Sequence, residues 1–142
     1  MKKIKVSRLD AAFSQLVRER AAWCCEKCGQ HYTQDRRRGL ECSHLFGRRH
    51  YSVRWHPLNA AAHCTGCHFD LGSNPIEFAE WIKDHLGSQY QELIDLKNTP
   101  VRFREKDKKE MFQHFKSELE RLQDLRDRGE TGKIEFSAWE MP

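Results

Sequence analysis

Two Cys-x-x-Cys pairs, Cys25-Glu26-Lys27-Cys28 and Cys64-Thr65-Gly66-Cys67, constrain this chain more than any other feature of its sequence. Thiolates at that spacing bite one tetrahedral ion, and four of them close a structural zinc site. Residues 29–63 separate the pairs, a longer gap than a simple zinc ribbon encloses, so the clip ties down an inserted unit. Cys24 is an alternative first ligand, but its spacing to Cys28 is one residue too long. Redox-active or merely buried thiols are the competing reading of the quartet. Cys42, between Glu41 and Ser43, reads as a small buried residue.

A chain of 142 residues is about one domain long. With 38% hydrophobic and 32% charged residues its core is thin, and thin-cored small domains need a metal or disulfide clip. Net charge is only +4, yet Lys2, Lys3, Lys5 and Arg8, then Arg36 to Arg38, then Arg48 and Arg49 come in bunches. Bunching matters more than the total for a polyanionic partner. The basic start resembles a signal-peptide n-region, but Arg8, Asp10, Arg18 and Glu19 interrupt every apolar run that follows. No stretch approaches the ~18 apolar residues of a membrane span. The expectation is a cytoplasmic protein whose six cysteines are reduced or metal-bound.

Helical spacing of Leu9, Ala12, Phe13, Leu16, Val17 and Ala21 predicts a helix over 7–22, with Ser7 as N-cap. Two short strands are expected at 40–46 and 51–55, joined by a turn at Gly47-Arg48-Arg49-His50. His56-Pro57 breaks the second strand, and a short helix from Thr65 carries His68. Asn74-Pro75 starts a helix that Gly87 ends. Further helices cover 88–97 and 106–128, and the last ten residues read as irregular. The fold class is α+β, mainly α.

Inside the clip, residues 41–68 hold His44, His50, His56, His63 and His68. His44 falls on the first strand and His68 follows the second knuckle, which predicts a two-strand, one-helix metal cradle with an open mouth. A neutral imidazole is suited to take a proton from water. A second imidazole with carboxylates or waters suits Mg²⁺ or Mn²⁺.

At these residues the chain resembles the His-Me finger (HNH) nucleases, with His44, Asn59 and His68 in the places of the three motif residues. More narrowly, Glu41-Cys42-Ser43-His44, Arg48-Arg49, Arg54-Trp55-x-Pro-x-Asn59 and Cys64-x-x-Cys67-His68 resemble the lambdoid phage recombination nucleases of the NinG/Rap type. The likeness covers about residues 7–125 and is most specific within the clip. It implies a zinc-clipped ββα-metal core at 1–86, with an N-terminal helix, and a C-terminal helical extension at 87–142. It also implies a metal-dependent endonuclease nicking branched DNA or recombination intermediates, in the host cytoplasm if phage-encoded. By the same likeness His44 is the general base, His68 holds the catalytic ion, and Asn59 braces the loop that aims His44. Products would carry 5′-phosphate and 3′-hydroxyl ends.

One departure stands out. Many HNH enzymes place a metal-binding Asp just before the base histidine, and here that residue is Ser43. Glu41 shares its face on a strand and offers a carboxylate instead; water, Asp70 and His50 are the alternatives. Arg48 and Arg49 at the turn, and Arg36, Arg37 and Arg38, are the expected DNA contacts, against the plain reading of solvated loops. Trp55 reads as core. Phe112, Phe115, Leu119 and Leu122 form a stripe that serves either a homodimer seam or the chain's own packing. Two other functions compete: an HNH nuclease with restriction, homing or packaging duties, and a zinc-stabilised DNA-binding module without catalysis.

Overall fold

The computed structural model describes residues 4–34 and 39–141; Arg36, Arg37 and Arg38 lie outside the described residues. Helix α1, Arg8–Arg20, begins at a capping box. Ser7 Oγ accepts the Asp10 N–H at 3.1 Å and an Asp10 carboxylate oxygen accepts the Ser7 N–H at 2.8 Å. The helix ends in a turn where Ala22 and Trp23, neither of them glycine, take φ of 53° and 59°. Each left-handed residue costs on the order of 1–3 kcal/mol. The Trp23 indole N–H, donated to Glu19 at 2.9 Å, helps hold the turn, which throws the chain into the first cysteine knuckle.

Strand β1, Leu40–His44, pairs antiparallel with β2, Ala60–Cys64, in the register Leu40 to Cys64 and His44 to Ala60. The expected strand at 51–55 is therefore corrected. That segment is a chain of tight turns, with Val53 N–H donating to His50 O at 3.1 Å and His56 N–H to Val53 O at 3.0 Å. Tertiary capture overrides the β propensity of Tyr51–Trp55. Asp10 of α1 accepts the Arg54 guanidinium Nε–H at 3.0 Å and the Trp55 indole N–H at 2.9 Å, curling both side chains inward. The true second strand is Ala60-Ala61-Ala62-His63-Cys64, buried throughout.

Small alanines let the hairpin lie between two apolar cores. Leu40, Ala60, Ala62 and Cys64 join the larger core with Phe13, Leu16 and Val17 of α1. Ala61 faces the smaller one, with Val53, Ile82 and Leu93. Helix α2, Thr65–Ser73, follows β2 directly. Helix α3, Pro75–Leu86, starts at Pro75 as expected, although Asn74 turns its side-chain amide back to Asp70 O at 2.7 Å. Gly87, at φ 56°, ends α3, and α4, Tyr90–Lys97, follows a 3-10 turn.

Helix α5, Glu105–Asp127, lays Met111, Phe115, Leu119 and Leu122 into the larger core. Phe115, Leu119 and Leu122 of the apolar stripe are thus used within the chain, against α1. The segment after α5 has irregular backbone but is anchored: Ile134 and Phe136 are buried, and Ile134 N–H donates to Arg20 O at 3.1 Å. Among the described residues, no helix is long and apolar enough to cross a membrane.

Candidate functional site

The four predicted cysteines come together. Their sulfurs all lie within 4.8 Å of one another, and Cys28 and Cys64 Sγ are 3.9 Å apart. A tetrahedron with metal–sulfur bonds near 2.3 Å has edges of about 3.8 Å, so the quartet fits an ion such as zinc. It is far too open for a disulfide, which needs about 2.05 Å. Cys24 stays outside the quartet, its backbone bridging to His31.

Backbone pairing builds this site. Glu26, inside the first knuckle, gives its N–H to Ala62 O at 2.8 Å and accepts the Ala62 N–H on its carboxylate at 2.6 Å. Both polar groups of one β2 residue are thereby captured, two residues before Cys64. Cys64 then caps α2, its sulfur accepting the Cys67 N–H at 3.4 Å. Burial raises the Cys25 thiol, but N–H groups at Cys28, Cys64 and Lys27 outweigh it and bring it to about 7. Burial and the neighbouring sulfurs push the Cys67 thiol well up. Four sulfurs this close repel one another as thiolates, and a cation relieves that repulsion. Cys42 is half-buried rather than buried, and burial lifts its thiol to about 11.

Asn59 is fully buried and bridges the ends of the 45–59 connection. Its Oδ1 accepts the Phe46 N–H at 2.8 Å, its amide donates to Phe46 O at 2.9 Å, and its own carbonyl accepts the Leu45 N–H at 2.9 Å. The two residues after His44 are therefore pinned by one side chain and its backbone. Arg20 of α1 secures the same junction through Pro57 O at 2.8 Å and Ala60 O at 2.5 Å.

His44 ends β1. Its Nε2–H donates to Arg54 O at 3.1 Å, and its ring lies 6.0 Å from Phe13. With Nε2 carrying the proton, Nδ1 keeps its lone pair. Burial lowers its pKa below the usual histidine value, against a smaller upward pull from the Arg54 carbonyl. The imidazole is therefore neutral at pH 7.

His68, on α2, has its Nδ1 3.1 Å from Glu41 Oε1. Nδ1–H donates there, which leaves the lone pair on Nε2. Both side chains are open to solvent, 39% and 46% exposed. Strand alternation puts Glu41, Ser43 and His63 on one face of the hairpin and His44 on the other. His44 therefore leaves β1 on the face opposite Glu41, the residue that holds His68, so the expected cradle with both imidazoles facing one mouth is not what the hairpin presents. Among the described residues, the cysteine quartet is the one group of three or more such ligands preassembled.

Ser43 is fully buried with its hydroxyl unpartnered. His63, opposite Glu41, is also fully buried, with both ring nitrogens unpartnered and its ring 4.6 Å from that of Trp81. Burial takes it to about 4. Arg48 and Arg49 occupy the middle of the turn closed by His50 N–H to Gly47 O at 2.9 Å. Arg49 is exposed and Arg48 half-buried.

Sequence reasoning missed three contributors: Glu26, which docks the first knuckle, and the buried Asp10–Arg54 pair, which carries the carbonyl that holds His44. Only the capping position of Asp10, three residues after Ser7, was readable in advance. No protein-family model, curated protein or solved structure matches the chain.

Proposed function

We propose that the chain is a metal-dependent DNA endonuclease of the His-Me finger type, built on a zinc-clipped ββα-metal core. The observation that carries this reading is the fixing of His44: Arg54 O accepts a hydrogen bond from its Nε2–H while Asn59 pins the residues that follow. An imidazole so oriented, neutral and with Nδ1 free, is set to deprotonate a water for attack on a phosphodiester.

Glu41 holds the His68 tautomer that turns Nε2 outward, the carboxylate–histidine arrangement common behind metal ligands. His68 Nε2 would hold Mg²⁺ or Mn²⁺, with Glu41 behind the ring fixing its orientation. Such an ion keeps several waters and takes other ligands from substrate phosphate oxygens, so few protein ligands are needed. When bound it stabilises the charge on the leaving 3′ oxygen. Arg48 and Arg49, at the turn beyond β1, are the phosphate-binding arginines nearest in sequence to His44.

Supercoiled plasmid incubated with the zinc-loaded protein tests this. Nicking that needs added Mg²⁺ or Mn²⁺ and leaves 5′-phosphate ends supports the enzyme. Binding without cutting supports the second reading, a zinc-stabilised DNA-binding module. Ser43, in place of an acidic ligand, and the lack of any preassembled ligand group around His68 among the described residues favour that reading.

The proposed substrate is branched DNA of the kind formed during recombination. Cleavage of a synthetic four-way junction in preference to a linear duplex of the same sequence is the expected result.

A further inference from the structure

On the α1 side of the hairpin lies a cavity of about 890 Å³, walled by the start of α1, the turns at 51–55 and the first turns of α5. Cations and aromatic faces alternate along it. The Arg8 guanidinium sits 4.7 Å above the Phe112 ring, and the Lys108 ammonium 5.4 Å from the Tyr51 ring. The Arg54 guanidinium, 4.9 Å from the Trp55 ring, forms part of the floor.

Its carboxylates are already answered. Asp10, behind the floor, is paired with Arg54, Glu105 with Lys108 at 3.4 Å, and Glu110 with Lys106 at 4.0 Å. Among the described residues, Lys5, Arg8 and Lys109 line the cavity exposed and without a carboxylate partner. The unanswered charge is positive, so the occupant it fits is an anion.

We infer that this groove binds an unpaired DNA strand beside the cleavage site, and that it favours branched DNA carrying such a strand, a flap or a fork, over a continuous duplex. The inference rests on the nuclease reading above. A duplex offers a protein its phosphates and base edges but hides its base faces. Cations over the half-buried rings of Tyr51 and Phe112 suit a single strand, whose phosphates meet the cations and whose bases stack on the ring faces. The cations now over Phe112 and Tyr51 can move to phosphates and free those faces. The groove shares one residue with the proposed base: Arg54 lines it with its guanidinium and holds His44 Nε2 with its carbonyl. A strand lying in it would run past Arg54, as the unpaired arm of a flap would.

Anisotropy of a fluorescein-labelled oligothymidylate, with zinc-loaded full-length protein and no added divalent ion, tests the groove without cleavage. The wild type should bind the oligothymidylate more tightly than a duplex of equal length. Arg8→Glu with Lys109→Glu, both at exposed positions, should weaken single-strand binding at least ~10-fold. The log–log salt slope should fall by about 0.7 for each phosphate no longer neutralised. Lys83→Glu, on α3 away from the groove, should leave binding unchanged. Unaltered zinc content and melting temperature in the double variant exclude misfolding. His44→Ala should bind as the wild type does, so failure to cut and failure to bind are read separately.

Single-strand affinity no better than duplex affinity overturns the groove. So does an equal loss in Lys83→Glu, which would make the effect one of overall charge. A wild type that binds the oligothymidylate but never cuts in Mg²⁺ or Mn²⁺ overturns the nuclease reading instead and leaves the groove standing.

Discussion

The cysteine clip and the histidine pair are built from the same 28-residue stretch and its upstream knuckle, yet they are finished to different degrees. At the clip, backbone pairing at Glu26 and Ala62 and the α2 cap at Cys64 bring all four ligands within reach of one ion. At the histidines, only His44 is locked, by Arg54 O and Asn59, while Glu41 and His68 stand half in solvent, paired with each other. Structural metal sites close with protein atoms; catalytic ones leave positions for water and substrate. On the proposed reading, the closed quartet would be the scaffold and the open histidines the working mouth.

The heaviest test of the contrast is metal removal. Stripping the cysteine-bound ion with a strong chelator should unfold the chain, because apparent metal-binding energies of roughly 10–16 kcal/mol become folding energy at such sites. Omitting Mg²⁺ or Mn²⁺ should leave the fold intact and abolish only cleavage. Circular dichroism alongside elemental analysis separates the two; a metal-free chain with unchanged helix content would break the comparison.

Next in size is the buried pair behind the base. Asp10→Asn leaves the Arg54 guanidinium uncompensated in the core, at a cost of roughly 3–5 kcal/mol. The Asp10 carboxyl is raised by burial but pulled lower overall by Arg54 and Ser7. A depressed folded-state pKa contributes stability that is present above the unfolded value and lost as pH falls through the folded one. Wild-type stability should thus decline on acidification below about pH 4, and the variant should lack that part of the decline. A melting curve equal to the wild type's would show that the pair holds nothing in place.

Arg48→Ala with Arg49→Ala should leave the melting temperature nearly unchanged, since turn arginines of this kind are worth little to a fold. Cleavage should drop, and the salt slope of duplex binding should shallow by about 0.9 for each phosphate left without its arginine. An unfolded double variant would mean these residues belong to the structural half of the comparison.

A finer effect lies in the pH profile. The lowered His44 pKa keeps the imidazole neutral, and so competent as a base, to below pH 6.5. The acid limb of the cleavage rate should have its midpoint below that value; a midpoint above it would mean that a different group takes the proton.

Local signals were legible in the sequence because they act over a few residues. Ser7 marked the start of α1, the cysteine spacing marked the clip, and Gly87 marked the end of α3. The second strand was not legible. Tyr51–Trp55 has the stronger β composition, and only the distant Asp10 diverts it, whereas Ala60–Ala62 forms a strand because its smallness fits between two cores. Side-chain identities at His44, Asn59 and His68 were readable; that Glu41 on the opposite face of β1 would hold His68 was not, since that depended on where α2 packs.

The most direct test of the account compares His44→Ala with the wild type in plasmid nicking, at matched zinc content and melting temperature. Loss of rate by about 10²–10⁴-fold, the usual contribution of a positioned general base, is the predicted result. An equally folded variant that nicks at the wild-type rate would contradict it, leaving the clip but removing the catalyst.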